Sequence, residues 1–415
     1  MGRACSAAAG FALDLGTTTI SGSLIDLSSG DRLATGTRRN PQAAYGADVM
    51  TRLTLAVMDN KNALALRRLV LESAADLLQT LCDQASVPLD CVNSGAVVGN
   101  TAMHHLALGL DVSGLCRAPY TPACKEAGVV ELPGLPPLYA PPIIASFVGS
   151  DAVSAALATN LACGAGTRLL IDVGTNTEAL LRHAGKLYAA SAPAGPAFEG
   201  GEISRGVQAR PGAIDSVRFV GDRLEVTTIG GATPIGVCGS GLVDAVAALL
   251  KAGALDETGR LYARGPLSGQ VLVGDDGGAT GFAIAPGVVL TQKDIRAFQL
   301  AKGAVRTAAD ALLRHAGVSP SALDEVLLAG SFGTFLNAEN ALSTGLLPPV
   351  AESKVIPVGN AALAGAEIIL SSGCTEAAEL IARSAEHVEL ALLPGFQDGF
   401  LQSLEFHMAM PQGTR

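Results

Sequence analysis

The sequence predicts an α/β protein made of two related half-domains that face one nucleotide. The chain twice passes from an aliphatic strand into an Asp-aliphatic-Gly-Thr turn, at residues 11–20 and again at 169–178. Strand and helix patterns then follow one another through both halves, which is typical of α/β folds. The 49 glycines and 21 prolines are spread along all 415 residues, as in a turn-rich globular protein and unlike a repeat or a disordered tract.

The first half opens with a predicted three-stranded meander. Its strands begin at residues 11, 19 and 32, and a Ser-Ser-Gly-Asp hairpin turn at 28–31 joins the last two. Leucine spacing and capping residues predict helices from about 49, over 61–85, from 101 and over 150–160. We expect further strands at 91–98 and 143–148, and a proline-rich excursion at 111–145.

The second half repeats this arrangement. The predicted strands are 168–173, 179–182, 186–190, 213–220, 223–229, 324–328, 354–358 and 387–392. The predicted helices are 242–252, 291–315, one after 333, 359–371 and 396–406. We therefore expect one lobe at 1–155, a second at 156–375 with a β insertion near 253–290, and a strand and helix at 376–415 that pack back on the lobes.

Composition excludes several classes of function. The net charge is −10 and no useful Lys/Arg cluster exists, which argues against binding to nucleic acid or to an anionic membrane. No run of 18 apolar residues and no signal peptide are found, so we expect a cytoplasmic protein. No two cysteines are spaced as C-x-x-C, and no iron–sulfur cluster is expected in this chain.

The first Asp-x-Gly-Thr turn predicts an anion site. We expect Gly16 to adopt a backbone conformation closed to other residues, so that main-chain amides can approach a ligand. Thr17 and Thr18 add hydroxyl donors, and Asp14 can hold Mg²⁺ through water. This turn therefore predicts half of a phosphate site.

The second turn predicts the other half. Asp172, Gly174, Thr175 and Asn176 repeat the pattern, and Asp172 is a second candidate for Mg²⁺. The functional interpretation requires both turns to approach one phosphate chain, where their donors stabilise the charge that develops in phosphoryl transfer.

Two further glycine-rich segments are candidates for the nucleotide site. Gly330, Ser331 and Gly333 lie between a predicted strand and a helix, where glycines let a base or ribose approach the backbone, and predict an adenosine pocket. Gly239 lies in a loop that opens a helix and is expected to face the nucleotide. A dinucleotide fingerprint is disfavoured there, because the preceding strand is short and no acidic residue follows at the expected distance.

Several charged side chains are candidates for catalysis. A general base must lie near the γ-phosphate, and we select Asp172, Glu178 and Glu199. Glu202 and Asp151 remain alternatives, because the sequence does not choose among these carboxylates. On the predicted helix 291–315, Lys293 and Lys302 either meet the nucleotide or lie on a solvated helix face.

The three motifs together resemble the two phosphate motifs and the adenosine motif of the acetate and sugar kinase/Hsp70/actin superfamily. They are residues 14–19, 172–177 and 328–333. This resemblance implies two actin-like (ribonuclease H-like) lobes with a nucleotide cleft between them. ATP or ADP and Mg²⁺ would then be the ligands.

More specific strings narrow the resemblance. Asn-Pro-Gln-Ala-Ala-Tyr-Gly-Ala-Asp at 40–48 and Gly-Pro-Ala-Phe-Glu-Gly at 195–200 are specific, and 119–122, 292–295 and 396–411 support them. They look like the ATPase domain of reductive activators of corrinoid-dependent methyltransferases. The resemblance implies a slow ATPase that drives reduction of a Co(II) corrinoid to Co(I), with a corrinoid protein or corrinoid-dependent methyltransferase as partner.

The resemblance also implies expectations about redox partners. Most members of this family carry an iron–sulfur domain ahead of the ATPase, or iron–sulfur clusters elsewhere, whereas ten residues precede the first predicted strand here. We therefore expect either a separate iron–sulfur electron donor or a diverged or truncated ATPase, and a homodimer is a further expectation. The alternatives are a small-molecule kinase of the same superfamily and a nucleotide-gated binding module without a redox role.

Overall fold

The computed structural model describes residues 8–275, 277–330 and 333–406. Its strands are β1 (Ala9–Leu15), β2 (Thr19–Asp26), β3 (Arg32–Arg39), β4 (Val92–Gly99), β5 (Gly128–Val130), β6 (Leu138–Ala140), β7 (Arg168–Asp172), β8 (Asn176–His183), β9 (Lys186–Pro193), β10 (Ala213–Val220), β11 (Arg223–Thr228), β12 (Gly236–Val237), β13 (Val271–Val273), β14 (Ala279–Ala285), β15 (Val288–Thr291), β16 (Glu325–Ala329), β17 (Val355–Gly359) and β18 (Ala385–His387).

The α-helices of the described residues lie between these strands and after them. They are α1 (Val49–Met58), α2 (Asn60–Ala85), α3 (Thr101–Leu108), α4 (Ser150–Ala158), α5 (Gly239–Lys251), α6 (Gln292–His315), α7 (Ala338–Ser343), α8 (Ala361–Ser372), α9 (Thr375–Ser384) and α10 (Phe396–Leu404). None of these helices has the length and apolarity that a membrane span requires. The α/β class predicted from the sequence is confirmed.

The chain divides into two compact units. The first unit contains residues 1–166, 182–190 and 360–388, and the second contains 167–181, 191–359 and 389–415. The chain therefore leaves the first unit after residue 166 and returns to it at residues 182 and 360. The lobes predicted from the sequence were contiguous segments.

The first unit is organised around β1. Its sheet has the order β3-β2-β1-β4-β6-β5, in which β1 pairs antiparallel with β2 and parallel with β4. β1 reads as a nearly continuous apolar run because it is central in the sheet, with α2 packed on β2 and β3 and α8 packed on β1 and β4. Elsewhere in this unit, β9 pairs in parallel with β18.

Helix α2 covers this sheet with one apolar stripe. Its buried residues recur every three or four positions, at Leu66, Val70, Ala74, Leu77 and Leu81. They join Phe11, Leu13 and Leu15 of β1 in one core cluster, apart from Leu66, which belongs to a neighbouring cluster with α1. The packing of this stripe holds β1 in place up to the turn that follows it.

The second unit places β7 next to two parallel neighbours. β16 pairs in parallel with both β7 and β17, and β8 lies on the other side of β7. A sheet of β10, β11 and β12 packs against α5, and an antiparallel sheet of β13, β14 and β15 precedes α6. Because β7 and β16 are parallel, the segments that follow both strands emerge at the same sheet edge.

Two sequence-based strand predictions are wrong. In the predicted strand 143–148, residues 144–147 form bends instead. The amides of Ile144 and Ala145 both donate to the carbonyl oxygen of Val148 and fold the chain back on itself. The predicted strand at 387–392 ends early, because β18 stops at His387 and a 3₁₀ turn follows at Leu390–Leu392. Apolar residues alone suggested strands at both places, whereas local turns satisfy the backbone there.

Candidate functional site

The first turn connects β1 to β2 and is closed by its own backbone. Leu15 pairs with Ile20, so Gly16, Thr17 and Thr18 form the tight connection and Thr19 begins β2. A Cβ on Gly16 would lie 2.4 Å from the carbonyl oxygen of Thr19, but its φ is outside the left-handed region. The lack of space for a Cβ, and not a left-handed φ, is therefore what requires glycine there.

Three asparagine side chains hold this turn, and none of them was predicted from the sequence to do so. Asn40 Nδ2 donates to the carbonyl oxygen of Gly16 at 2.9 Å. Asn100 Nδ2 donates to Oγ1 of Thr17, also at 2.9 Å. The first turn is thus fixed by neutral amide donors, and the hydroxyl of Thr17 is buried among them.

The third asparagine, Asn360, holds the carboxylate. Its Nδ2 donates to Oδ2 of Asp14 at 2.9 Å. The same residue caps α8, where its Oδ1 accepts from the amide of Leu363 at 2.9 Å. Asn40 and Asn100 use their Oδ1 atoms in the same way, on the amides of Gln42 and Met103. Each asparagine therefore joins a helix start to the turn.

The sequence did carry a signal for two of these residues. Gly-Asn-Thr-Ala at 99–102 and Gly-Asn-Ala-Ala at 359–362 both follow a strand and open a helix. An asparagine at such a position predicts a cap. The sequence does not show which turn the Nδ2 atom of each asparagine reaches, because the partners lie tens to hundreds of residues away in the chain.

Asp14 is half-buried and its acidity is weakened. Burial raises the pKa of Asp14 to about 6, and the hydrogen bond from Asn360 partly opposes this shift. The group is therefore mainly a carboxylate at neutral pH. Carboxylate oxygens are hard ligands of the kind that Mg²⁺ prefers.

The second turn repeats the Asp-aliphatic-Gly-Thr sequence of the first, but its hydrogen-bond partner is a carboxylate. The amide of Thr175 donates to Glu199 Oε1 at 3.1 Å, and its hydroxyl donates to Oε2 at 2.9 Å. The amide of Gly195 donates to the carbonyl oxygen of Thr175 at 2.9 Å. A Cβ on Gly174 would meet Asn176 O at 3.1 Å and Glu199 Oε1 at 3.8 Å. The structure thus brings the predicted acid Glu199 onto the predicted phosphate turn.

Asp172 meets the predicted adenosine loop. Ala329 of β16 is paired with Asp172, and Gly330 follows with a φ of +96°. A Cβ on Gly330 would lie 2.9 Å from Asp172 Oδ1 and 2.7 Å from the carbonyl oxygen of Val173. This position requires glycine for both conformation and space. The structure therefore joins two motifs that are far apart in the sequence.

The other predicted site residues lie around these two turns. Thr18 accepts the amide of Asn40 at its carbonyl oxygen, and Asn176 begins β8. The amide of Gly333 donates to the carbonyl oxygen of Gly330 at 3.0 Å, whereas Ser331 lies outside the described residues. Glu178 is buried further along β8.

Three other residues were considered for the site from the sequence, namely Gly239, Glu202 and Asp151. Gly239 opens α5 and is buried. Glu202 is exposed, and Asp151 accepts the amide of Ala152 in the first turn of α4. Glu199 is the candidate carboxylate for which the described hydrogen bonds to a turn are Thr175 N to Oε1 and Thr175 Oγ1 to Oε2.

Lys302 serves neither of the roles considered for it. Its side chain is 1% exposed, and Nζ donates to the carbonyl oxygens of Ser403, at 2.8 Å, and of Glu405. Burial, together with the nearby Arg306, lowers the pKa of Lys302 to about 7. The lysine therefore fastens the C-terminal segment to α6, and the expectation of a solvated or nucleotide-binding Lys302 is wrong.

Comparisons with known proteins give one consistent result. Residues 9–163 match the model of the RACo middle region, and residues 166–412 match that of the C-terminal domain of RACo, the ASKHA domain. A solved structure described as a reductive activator for corrinoid, iron–sulfur protein superposes with a TM-score of 0.89 at 34% identity, covering 98% of this chain and 67% of that one.

Two relatives are similar over nearly the whole chain. The corrinoid activation enzyme RamQ of Eubacterium limosum is 32% identical over 419 residues, which are 96% of this chain and 70% of RamQ. The [Co(II) methylated amine-specific corrinoid protein] reductase of Methanosarcina barkeri is 27% identical over 440 residues, covering 96% of this chain and 77% of the reductase. Both turns and the loop at Gly330 lie within the matched regions.

Proposed function

Because the chain belongs to the RACo family of corrinoid reductive activators, we propose that it uses ATP to drive the reductive reactivation of a corrinoid protein. Residues 166–412 match the ASKHA domain of this family, which supports ATP or ADP as the nucleotide. The reaction adds one electron to Co(II) and yields Co(I). We assign the electron to a separate iron–sulfur donor, and the corrinoid protein, or a corrinoid-dependent methyltransferase, is the partner.

The second turn is the observation that carries this proposal. It holds two carboxylates beside a Gly-Thr turn, with Gly330 in contact distance of Asp172. Mg²⁺ fits such groups, because it takes one or two carboxylates together with water and substrate phosphates. When bound, the ion neutralises charge on the phosphates. Asp172, together with Asp14 of the first turn, would hold it.

The two turns supply the phosphate-binding groups in this proposal. Gly16, Thr17 and Thr18 form the first set, and Gly174, Thr175 and Asn176 form the second. Gly330, Ser331 and Gly333 would line the adenosine pocket, and Gly239 would lie at its margin. A phosphate that approaches Thr175 competes with Glu199 for two donors, so we expect Glu199 to share or release one of them when ATP binds.

Glu199 is our choice for the general base. Two hydrogen bonds from Thr175 fix the orientation of its carboxylate. An ionised carboxylate has about four lone-pair sites, so it can accept these two bonds and still accept from an attacking water. Glu178, which is buried on β8, is the second choice.

Replacement of Asp172 tests the proposal. Asp172→Ala should abolish Mg·ATP hydrolysis and ATP-dependent formation of Co(I), measured by phosphate release and by the visible spectrum of the corrinoid protein with a low-potential reductant supplied. Asp222→Ala, which removes an exposed acid of the same unit, is the matched control and should behave like the wild type. Unchanged turnover in Asp172→Ala would remove Asp172 from the site.

The partner is tested separately. Hydrolysis by the wild-type chain should rise when the cognate corrinoid protein is added. Stimulation by a sugar or a carboxylic acid, with phosphate transferred to it, would instead identify a small-molecule kinase. Failure to change Co(II) to Co(I) with ATP, reductant and partner all present would overturn the proposed function.

A further inference from the structure

The loop that carries Glu199 is anchored by its neighbour Phe198. Phe198 is 2% exposed, and its ring meets that of Phe298 edge to face, with centroids 5.8 Å apart. Gly195 and Gly200, which flank this short segment, have φ values of +76° and +80°. Between these glycines, Ala197–Glu199 form a short 3₁₀ helix, in which the amide of Glu199 donates to the carbonyl oxygen of Pro196. The packing of Phe198 therefore anchors a short rigid segment, and with it the position of Glu199.

Helix α6 holds the same loop at a second point. Asp294 Oδ1 accepts from the amide of Ser204 at 2.7 Å and from its hydroxyl at 3.0 Å. Asp294 and Phe298 are four positions apart and therefore lie on one helix face. The capping box between Thr291 and Asp294 fixes this helix start. The Glu199 loop is thus aligned along the first two turns of α6.

The same stretch of α6 forms hydrogen bonds to the C-terminal segment, which is defined here as residues 403–406. Gln299 Nε2 donates to the carbonyl oxygen of Leu404 at 2.8 Å, and Lys302 Nζ donates to those of Ser403 and Glu405. Phe406 is fully buried, and its ring stacks on that of Phe298 with centroids 6.1 Å apart. Phe298 therefore touches Phe198 through one contact and Phe406 through another.

We propose that Phe198, Phe298 and Phe406 form a positioning stack through which the C-terminal segment sets the place of Glu199 on the second turn. This inference rests on the proposed function, because it assigns a means of regulation to the same site. The route runs from Ser403–Phe406 through Phe298 and Phe198 to Glu199, and from Glu199 to Thr175. Displacement of the C-terminal segment shifts Phe298, and the carboxylate then loses its alignment with the Thr175 donors.

The kinetic test uses conservative truncations of the stack. Phe298→Leu and Phe406→Leu should each lower kcat for ATP hydrolysis about 10-fold, since small misplacements of a catalytic group cost this order of rate. The KM for ATP should stay within about twofold, because a positioning residue acts on the transition state. Phe282→Leu truncates another fully buried phenylalanine of the same unit, on β14, and should reduce thermal stability without lowering kcat.

A double variant shows whether the effect passes through Glu199. In the Glu199→Gln background, Phe298→Leu should cost no further kcat, because the group that it positions is already disabled. An equal loss of kcat in Phe282→Leu, or a full additional loss in the double variant, would overturn the positioning stack.

A third measurement does not depend on ATP hydrolysis. The amide of Thr175 donates to Glu199, so Phe406→Leu should accelerate its hydrogen exchange, while exchange at the amide of Gly195, which donates to Thr175, should change much less. This readout separates the two proposals, since a chain without ATPase activity would refute the proposed function and still report on the stack. Unchanged exchange at Thr175 in Phe406→Leu would refute the stack.

Discussion

The two Asp-x-Gly-Thr turns share a sequence but are stabilised in opposite ways. In the first turn, neutral amides from Asn40, Asn100 and Asn360 donate to the backbone, a hydroxyl and the carboxylate. In the second, the turn itself donates, and a carboxylate from Glu199 accepts both bonds from Thr175. The first turn is therefore a fixed and mostly neutral site, whereas the second carries two acids.

This difference indicates a division of labour between the turns. A fixed turn whose donors are already oriented is suited to binding, because little reorganisation is needed when an anion arrives. A turn that carries Asp172 and Glu199 repels an added phosphate unless a cation is present. We therefore expect metal dependence and hydrolysis to reside mainly in the second turn, and nucleotide affinity to depend more on the first.

After the loss of hydrolysis expected for Asp172→Ala, the largest expected effect comes from removing the charge of Glu199. Glu199→Gln should lower kcat for ATP hydrolysis by about 100-fold or more, the usual contribution of a general base. Its amide can accept only one of the two bonds from Thr175, and its loss of charge reduces repulsion of the phosphates. ATP should therefore bind at least as tightly as to the wild type, as measured by calorimetry.

The control for this prediction is Glu202→Gln. Glu202 is exposed and lies three residues further along the same loop, so this change removes an equal charge without touching Thr175. Turnover of the control should match the wild type. If Glu199→Gln also turned over at the wild-type rate, the second turn would have lost its catalytic group, and Glu178 would become the candidate.

The next largest expected contrast is in stability, between alanine substitutions at Gly16 and at Gly174. In Gly16→Ala the new Cβ would lie 2.4 Å from the Thr19 carbonyl oxygen, so the β1–β2 connection has to move, at a cost of about 2–3 kcal/mol. In Gly174→Ala the nearest atom is Asn176 O at 3.1 Å, and a small shift should limit the cost to about 1 kcal/mol or less. Urea unfolding of both variants measures the difference directly.

The same two variants also test whether the first turn is held more rigidly than the second. Equal losses of stability would show that the first turn is no more rigidly held than the second. A larger loss in Gly174→Ala would reverse the assignment, and the fixed turn would then be the one that carries Thr175.

The sequence predicted the strands of both turns well and their partners poorly. β1 and β7 were found because an aliphatic run before Asp-x-Gly-Thr is a local signal, and Gly330 was found because its glycine lies at the end of β16. The family resemblance and the fold class are confirmed. The site residues remain predictions.

The missed features all depend on contacts distant in sequence. Asn360 reaches Asp14 across almost the whole chain, and Lys302 meets carbonyls about a hundred residues later. A polar side chain that is neither patterned nor clustered gives no local sign of its partner. Lys302 looked like a surface lysine because lysine is rarely fully buried, and only the position of the C-terminal segment shows that it is buried.

The smallest expected effect concerns the charge of Asp14. Its pKa is about 6 in the folded chain against 3.8 for an ordinary aspartate, so between these values the folded state binds more protons than the unfolded state. Stability therefore falls as pH rises from about 4 to 6, and the loss persists above pH 6. Asp14→Asn carries no charge, and its Oδ1 can still accept from Asn360. It should be more stable than the wild type at pH 7.5 by about 1–2 kcal/mol, with little gain at pH 4.

Asp26→Asn is the control of opposite sign for this measurement. Hydrogen bonds from the hydroxyl and amide of Ser28 lower the pKa of Asp26, so its charged form is favoured by folding and Asp26→Asn should lose stability at pH 7.5. Asp14→Asn should at the same time bind Mg·ATP more weakly, because it lacks the hard oxygen ligand of the first turn. A gain in stability without a loss of nucleotide affinity would leave Asp14 as a buried structural acid and assign the metal to Asp172 alone.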